Sequence, residues 1–219
     1  MSKISVVGRG SIHVVPDVTR IEVTVSGVFD TYEEAYHKAK ESSSWMVKIL
    51  EYNKLSGKLC KTVRMDISDH LIDNYDDEDH YIGKIKEGYD LVMRMKIDIG
   101  IDNVMVNNLV RGVGKFISGA QINIGYTIQD PRPTQLKMLE RAVKDATEKA
   151  GIMAKAAGCK LGAVSAIDYG RQEIHVYSQA RNIHSNEEAK ASTADSFDIT
   201  PEDLVFSDDV SVSWELLEA

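Results

Sequence analysis

Along Pro133–Gly158, PTQLKMLERAVKDATEKAGIMAKAAG, apolar side chains return at helical spacing. Leu136, Leu139, Val143, Ala146, Ala150, Met153, Ala154 and Ala157 make one stripe, and the opposite face is charged. Glu140 with Lys144 and Asp145 with Lys149 are acid-before-base pairs four residues apart, each worth about 0.2–0.5 kcal/mol. Thr134 or Asp130 is placed to cap the start, the prolines suit the first turn, and Gly158 supplies a left-handed residue at the end. Because the lower half of the stripe is alanine, the pattern predicts a helix lying close against a sheet.

Elsewhere the alternation has period two. Lys3–Gly8 and Ser11–Val15 read as two short strands broken at Gly8-Arg9-Gly10, with Ile4 and Val6 on one face and Ile12 and Val14 on another. Pro16-Asp17 interrupts the pairing, and Val18–Val28 resumes it with Ile21, Val23 and Val25 inward. Asp30 or Thr31 caps a helix running to about Tyr52, with Glu33 and Glu34 placed for a capping box. Its inner stripe is Ala35, Ala39, Ser42, Met46, Ile49 and Leu50, with Trp45 at the edge. A strand from Leu59 to Tyr75, a charged tip at Asp76–Asp79 and a return through Ile85–Ile99 make a hairpin.

Asp102 caps a shorter helix, Asn103–Lys115, with Gly114 near its end. A strand with Ile122, Ile124, Tyr126 and Ile128 inward leads to the long helix. Beyond it, Leu161–Arg171 is strand-like, Tyr177–Phe197 is polar and reads as a mobile loop, and Leu204–Leu216 closes the chain as a strand. The order β-β-α-β-β-α-β-α-β-β predicts an α+β fold, with antiparallel or mixed sheets and helices packed on one face. Residues 1–219 are expected to form a single unit, or two α+β subdomains of about 1–100 and 101–219.

The formal charge of −8 and the lack of a basic stripe argue against a nucleic-acid partner. Much of that charge is local: from Asp198 to Ala219 there are seven acids and no lysine or arginine. Cys60 and Cys159 lie far apart without a CxxC partner and read as two buried, reduced thiols. No stretch approaches the ~18 apolar residues of a membrane span. The opening MSKISVVGRG has no signal-peptide core, so a cytoplasmic location is expected as written, and a periplasmic one if a leader has been removed.

Gly8-x-Gly10 leads into a strand instead of a helix N-terminus, and Gly112-Val113-Gly114-Lys115 ends a helix where a phosphate loop would start one, so no cofactor is expected. HExxH, GxSxG and SxxK are absent, which leaves no catalytic residue to name. His70, Asp73 and His80 flank the acidic tip and are the weak candidates for a metal site, although the spacing fits a solvated hairpin tip better than a Ca²⁺ loop. Tyr32, Tyr36, Trp45 and Tyr52 recur on or near one helix, as packing at a sheet edge or as a protein contact.

ISVVGRGSIHVVPDVTRIEVTV resembles the strand, Gly-x-Gly, strand, Pro-Asp, strand signature of the SIMPL-domain proteins, a group that includes YggE-like and immunogenic periplasmic proteins of bacteria. TYEEAYHKAKESSSWMVKILEY, GYDLVMRMKIDIGIDNVMVNNLVRGV, LERAVKDATEKAGIMAKAAGCKLGAV and ITPEDLVFSDDVSVSWEL follow in the same order. Gly8, Gly10, Pro16 and Asp17 match the signature, with structural roles in turn, close approach and strand break. The resemblance implies an α+β protein without catalytic residues that forms homo-oligomers, some of them channel-like rings, or binds a protein partner. It also implies links to the cell envelope, to stress tolerance and, for the eukaryotic namesake, to signalling contacts with a kinase. The reading that follows is a non-enzymatic protein acting by self-assembly or partner binding. The rival is an enzyme, or a small-ligand or metal-binding protein, with an unrecognised pocket between helix and sheet.

Overall fold

The structure is a computed structural model that describes residues 2–170, 178–184 (backbone only) and 200–218. The chain falls into two compact units, made of the described parts of Met1–Pro16, Thr127–Ser178 and Pro201–Ala219, and of Asp17–Tyr126 and Gln179–Thr200. The division does not fall near residue 100. Strand β4 (Tyr81–Gly100) ends there, but helix α2 (Asn103–Phe116) and strand β5 (Ala120–Thr127) return to the core that β4 shares with strand β2 (Val18–Phe29). Pro16-Asp17 marks the passage from the first unit to the second.

In the first unit, strands β1 (Ser2–Val14), β8 (Leu204–Glu218) and β6 (Cys159–Asp168) form an antiparallel sheet in the order β1-β8-β6. Helix α3 (Arg132–Ala156) covers one face. β1 is one strand, not two: its ladder to β8 is unbroken from Ser2↔Leu216 to Val14↔Leu204. Ile4, Val6, Ile12 and Val14 therefore share the face turned to α3, and Gly8 and Gly10 occupy the same face between them. A Cβ on Gly8 would overlap the Ala142 carbonyl oxygen, and one on Gly10 would overlap that of Met138. The two glycines serve close approach here, since no turn or strand break occurs at either.

The same contact decides which face of α3 is buried. Met138, Ala142, Ala146, Ala150 and Ala154 are buried at strict four-residue spacing, while Leu136 and Met153, expected inside, are exposed. At Ala142 and Ala146 small side chains win because Gly8 brings backbone to backbone there, while Met138 packs with Ile12, Ile128, Leu204 and Phe206. Leu139 and Val143 pack at the flank. Pro131 occupies the cap position with no side-chain bond of its own, and the Asp130 carboxylate accepts the Arg132 N–H at 3.0 Å. Gly158, at φ 70°, ends the helix as expected.

In the second unit, the sheet order is β3-β4-β2-β5-β7, with β3 spanning Lys61–Tyr75 and β7 spanning Ser178–His184. β7 lies within the stretch expected to be a mobile loop, and the rest of that stretch is outside the described residues. Helix α1 (Tyr32–Tyr52) and α2 supply one wall of the core, with Ile21, Val23, Val25, Leu91, Met93, Met95 and Ile97 supplying the other. Thr31 and Glu34 form the expected capping box, and Asp102 accepts the Met105 N–H at 3.0 Å. α2 ends at Phe116, one residue past the expected Lys115, with Gly114 near its end as expected, and the left-handed residue after it is Gly119, at φ 75°.

Candidate functional site

β2 pairs with β4 only as far as Phe29↔Tyr89, whereas β3 stays paired with β4 to Tyr75↔Tyr81. Beyond Tyr89 the sheet is therefore, among the described residues, a two-stranded ribbon, His70–Tyr75 against Tyr81–Gly88. Apolar side chains stand open on it: Leu71 is 50% exposed, Tyr81 57%, Ile82 59% and Ile85 47%. Tyr75 and Tyr81 meet edge to face with ring centroids 5.9 Å apart. An isolated two-stranded ribbon is marginally stable in water, and the register places Leu71 on one of its faces and Ile85 on the other. Toward the root, Val63 and Met65 on β3 are also exposed, and β3 is the outermost strand.

The tip is closed by Asp76, whose carboxylate accepts the N–H groups of Glu78 and His80, each at 2.9 Å, and Asp79 takes a left-handed φ of 61°. The His80 N–H, foremost, holds the Asp76 carboxyl below the usual carboxylate range. At the root of the ribbon, Lys86 donates to Asp69 at 2.7 Å and lies 3.6 Å from the Tyr89 ring centroid; the Asp69 bond leads in raising its pKa. Below the four acids of the tip the two strands carry both signs in pairs, Asp73 with Lys84, Asp69 with Lys86 and Asp66 with Arg64.

The sequence-derived metal candidates do not converge. His70 Nδ1 lies 3.1 Å from Asp90, Asp73 faces Lys84 at 3.9 Å, and His80 Nδ1 lies 3.4 Å from Asp76. Among the described residues no three His, Cys, Asp or Glu side chains are grouped to hold a metal ion. Gly8 and Gly10 are packing residues, and Pro16 and Asp17 lie between β1 and β2. Cys60 and Cys159 are free and half-buried, less enclosed than expected; burial pushes the Cys60 thiol up.

Of the aromatic residues near α1, Tyr32 meets Tyr89 edge to face at 5.9 Å, Tyr36 and Tyr52 are exposed, and Trp45 stacks on Phe116 of α2 at 4.7 Å. Sequence reading missed Phe116 and the open side chains Leu71, Tyr81 and Ile82. The adjacent Tyr81-Ile82, which breaks the alternation of β4, was the available signal.

Two antiparallel sheets under three helices make this an α+β protein, and among the described residues no helix is long and apolar enough to cross a membrane. The chain belongs to the SIMPL family: the family model described as a protein of unknown function (DUF541) matches residues 4–214. A search of curated proteins finds no match.

Proposed function

We propose that the protein is non-enzymatic and acts by self-assembly, with the β3–β4 ribbon as the surface on which a second copy docks. The observation that carries this reading is a ribbon that has no third strand among the described residues and leaves apolar side chains open on both faces, Leu71 on one and Ile85 on the other. A second copy is the favoured occupant because β3, the outermost strand of its sheet, can pair with the same strand of another chain in the isologous manner of a two-fold dimer. Larger assemblies built from such dimers, and the stress- or envelope-related setting that the family resemblance implies, belong to the same proposal.

Light scattering over a range of protein concentrations tests it. An oligomer that dissociates when Leu71 and Ile85 are both replaced by lysine, while circular dichroism stays native, supports the reading. A strict monomer at high concentration refutes it.

A further inference from the structure

A groove of about 670 Å³ runs between α1 and α2 of the second unit, within the size range of small-molecule sites. Its floor exists because Gly112 lies at the crossing: a Cβ there would come within 2.8 Å of Ile49 Cγ2, so any larger residue would wedge the helices apart. Its walls combine two chemistries. Trp45 and Phe116 are stacked at an interplanar angle of 12°, and Tyr52 stands beside them, 89% exposed. Around this platform lie Lys48, Arg111 and Lys115. Among the described residues none of these three cations has a carboxylate partner, although the chain as a whole carries a formal charge of −8. Two of them rest on the aromatic rings: Lys48 Nζ is 4.6 Å from the Trp45 centroid and Lys115 Nζ is 5.2 Å from that of Phe116.

We propose that this groove binds a small aromatic anion, a planar ring bearing a phosphate or carboxylate. The ring takes the stacking place now held by a lysine, and the displaced ammonium turns to the acid group. Arg111 supplies the planar fork that matches two oxygens of a phosphate or carboxylate. An uncharged ring would leave the cations uncompensated, and a bare inorganic anion would leave the aromatic platform unused, so both parts of the ligand are required. This inference goes beyond self-assembly and does not depend on it.

The chain has two tryptophans, and the other, Trp214, is buried in the core of the first unit. In a Trp214→Phe background the emission therefore reports Trp45 alone. Phenyl phosphate is expected to quench it saturably, with phenol and inorganic phosphate each at least about tenfold weaker and Arg111→Gln weakening phenyl phosphate about tenfold. Adenosine monophosphate and benzoate separate the sources. Quenching by the former points to a nucleotide, and quenching by benzoate without it points to an aromatic acid. Should Trp214→Phe unfold the first unit, the Trp45 indole N–H resonance of the native chain, followed by NMR during the same titrations, gives the same answer. Absence of saturable binding by all three aromatic anions, or binding that Arg111→Gln leaves unchanged, overturns the proposal.

Discussion

The outer edges of β1 and β3 meet the same problem and answer it differently. A strand at the margin of a sheet presents a row of unpaired N–H and C=O groups, a template for pairing with another chain. On β1 the helix above it closes that row. Arg141 donates to the Ser11 carbonyl at 2.7 Å, Asp145 accepts the Arg9 N–H at 2.7 Å, and Lys149 reaches the Val7 carbonyl at 3.5 Å. These three side chains recur every fourth residue on α3, in step with alternate residues of β1, so the helix flank stands in for a further strand. On β3 no helix does this among the described residues; its outer reaches carry Val63, Met65 and Leu71 in the open. An edge sealed by a basic, acidic, basic row belongs to a unit finished within one chain. An open apolar edge is where the proposed second copy would dock.

The sealed edge depends first on how close α3 lies, so the largest effect is expected from Gly10→Val. The new side chain collides with the Met138 carbonyl, and pushing α3 away should cost about 3 kcal/mol, measured as a lower midpoint in urea. Midpoints unchanged by this substitution would mean that the helix does not rest on the strand. Next comes the open edge: Leu71→Lys with Ile85→Lys should leave the urea midpoint near its original value while weakening association about a hundredfold by analytical ultracentrifugation, as two apolar side chains lose their burial.

A smaller effect of opposite sign is expected from Gly114→Ala. A Cβ there meets nothing within 4 Å and the residue lies inside α2, so stability should rise by about 0.5–1 kcal/mol in the same urea assay. The smallest effect is local and depends on pH. Lys149 foremost, then the Arg9 N–H, holds the Asp145 carboxyl below its ordinary range. A depressed folded pKa means that the contribution is present above the unfolded value of about 3.9 and is lost as pH falls through the lower folded value. Protection of the Arg9 amide from hydrogen exchange, corrected for the intrinsic rate, should stay level from neutral pH to about 5 and decline below about 4. In Asp145→Asn the protection should be weaker at neutral pH and the acid step should vanish. An acid step that survives in the variant would assign it to another group.

The parts of this comparison that lie within one element were open to sequence reading. Thr31 with Glu34, Asp102, Gly158 and the tip at Asp76–Asp79 are local devices whose bonds close within a few residues, so their spacing is their structure. Val210, Val212 and Trp214 were equally legible, since a strand with one covered face must alternate. Gly8 and Gly10 were not, because glycine between strand residues suits a break or a close approach, and only the helix lying on them decides between the two. The same absence of the neighbour hid the buried face of α3, where Leu136 and Met153 outrank Ala142 in hydrophobicity yet lose to it in fit. The ribbon was half visible: its hairpin showed in the alternation, but its exposure depends on β2 stopping at Phe29.

By itself, then, the order of residues determined the kinds of elements, their caps, the α+β class and the family, because periodicity and capping act over a few residues. Tertiary structure alone decided that β1 pairs with β8 instead of with its neighbour β2, that among the described residues the second unit ends in a two-stranded ribbon, and that Trp45, Arg111 and Phe116 surround one groove. Those outcomes depend on which surfaces remain uncovered once distant segments have met, and no local stretch of chain carries that information.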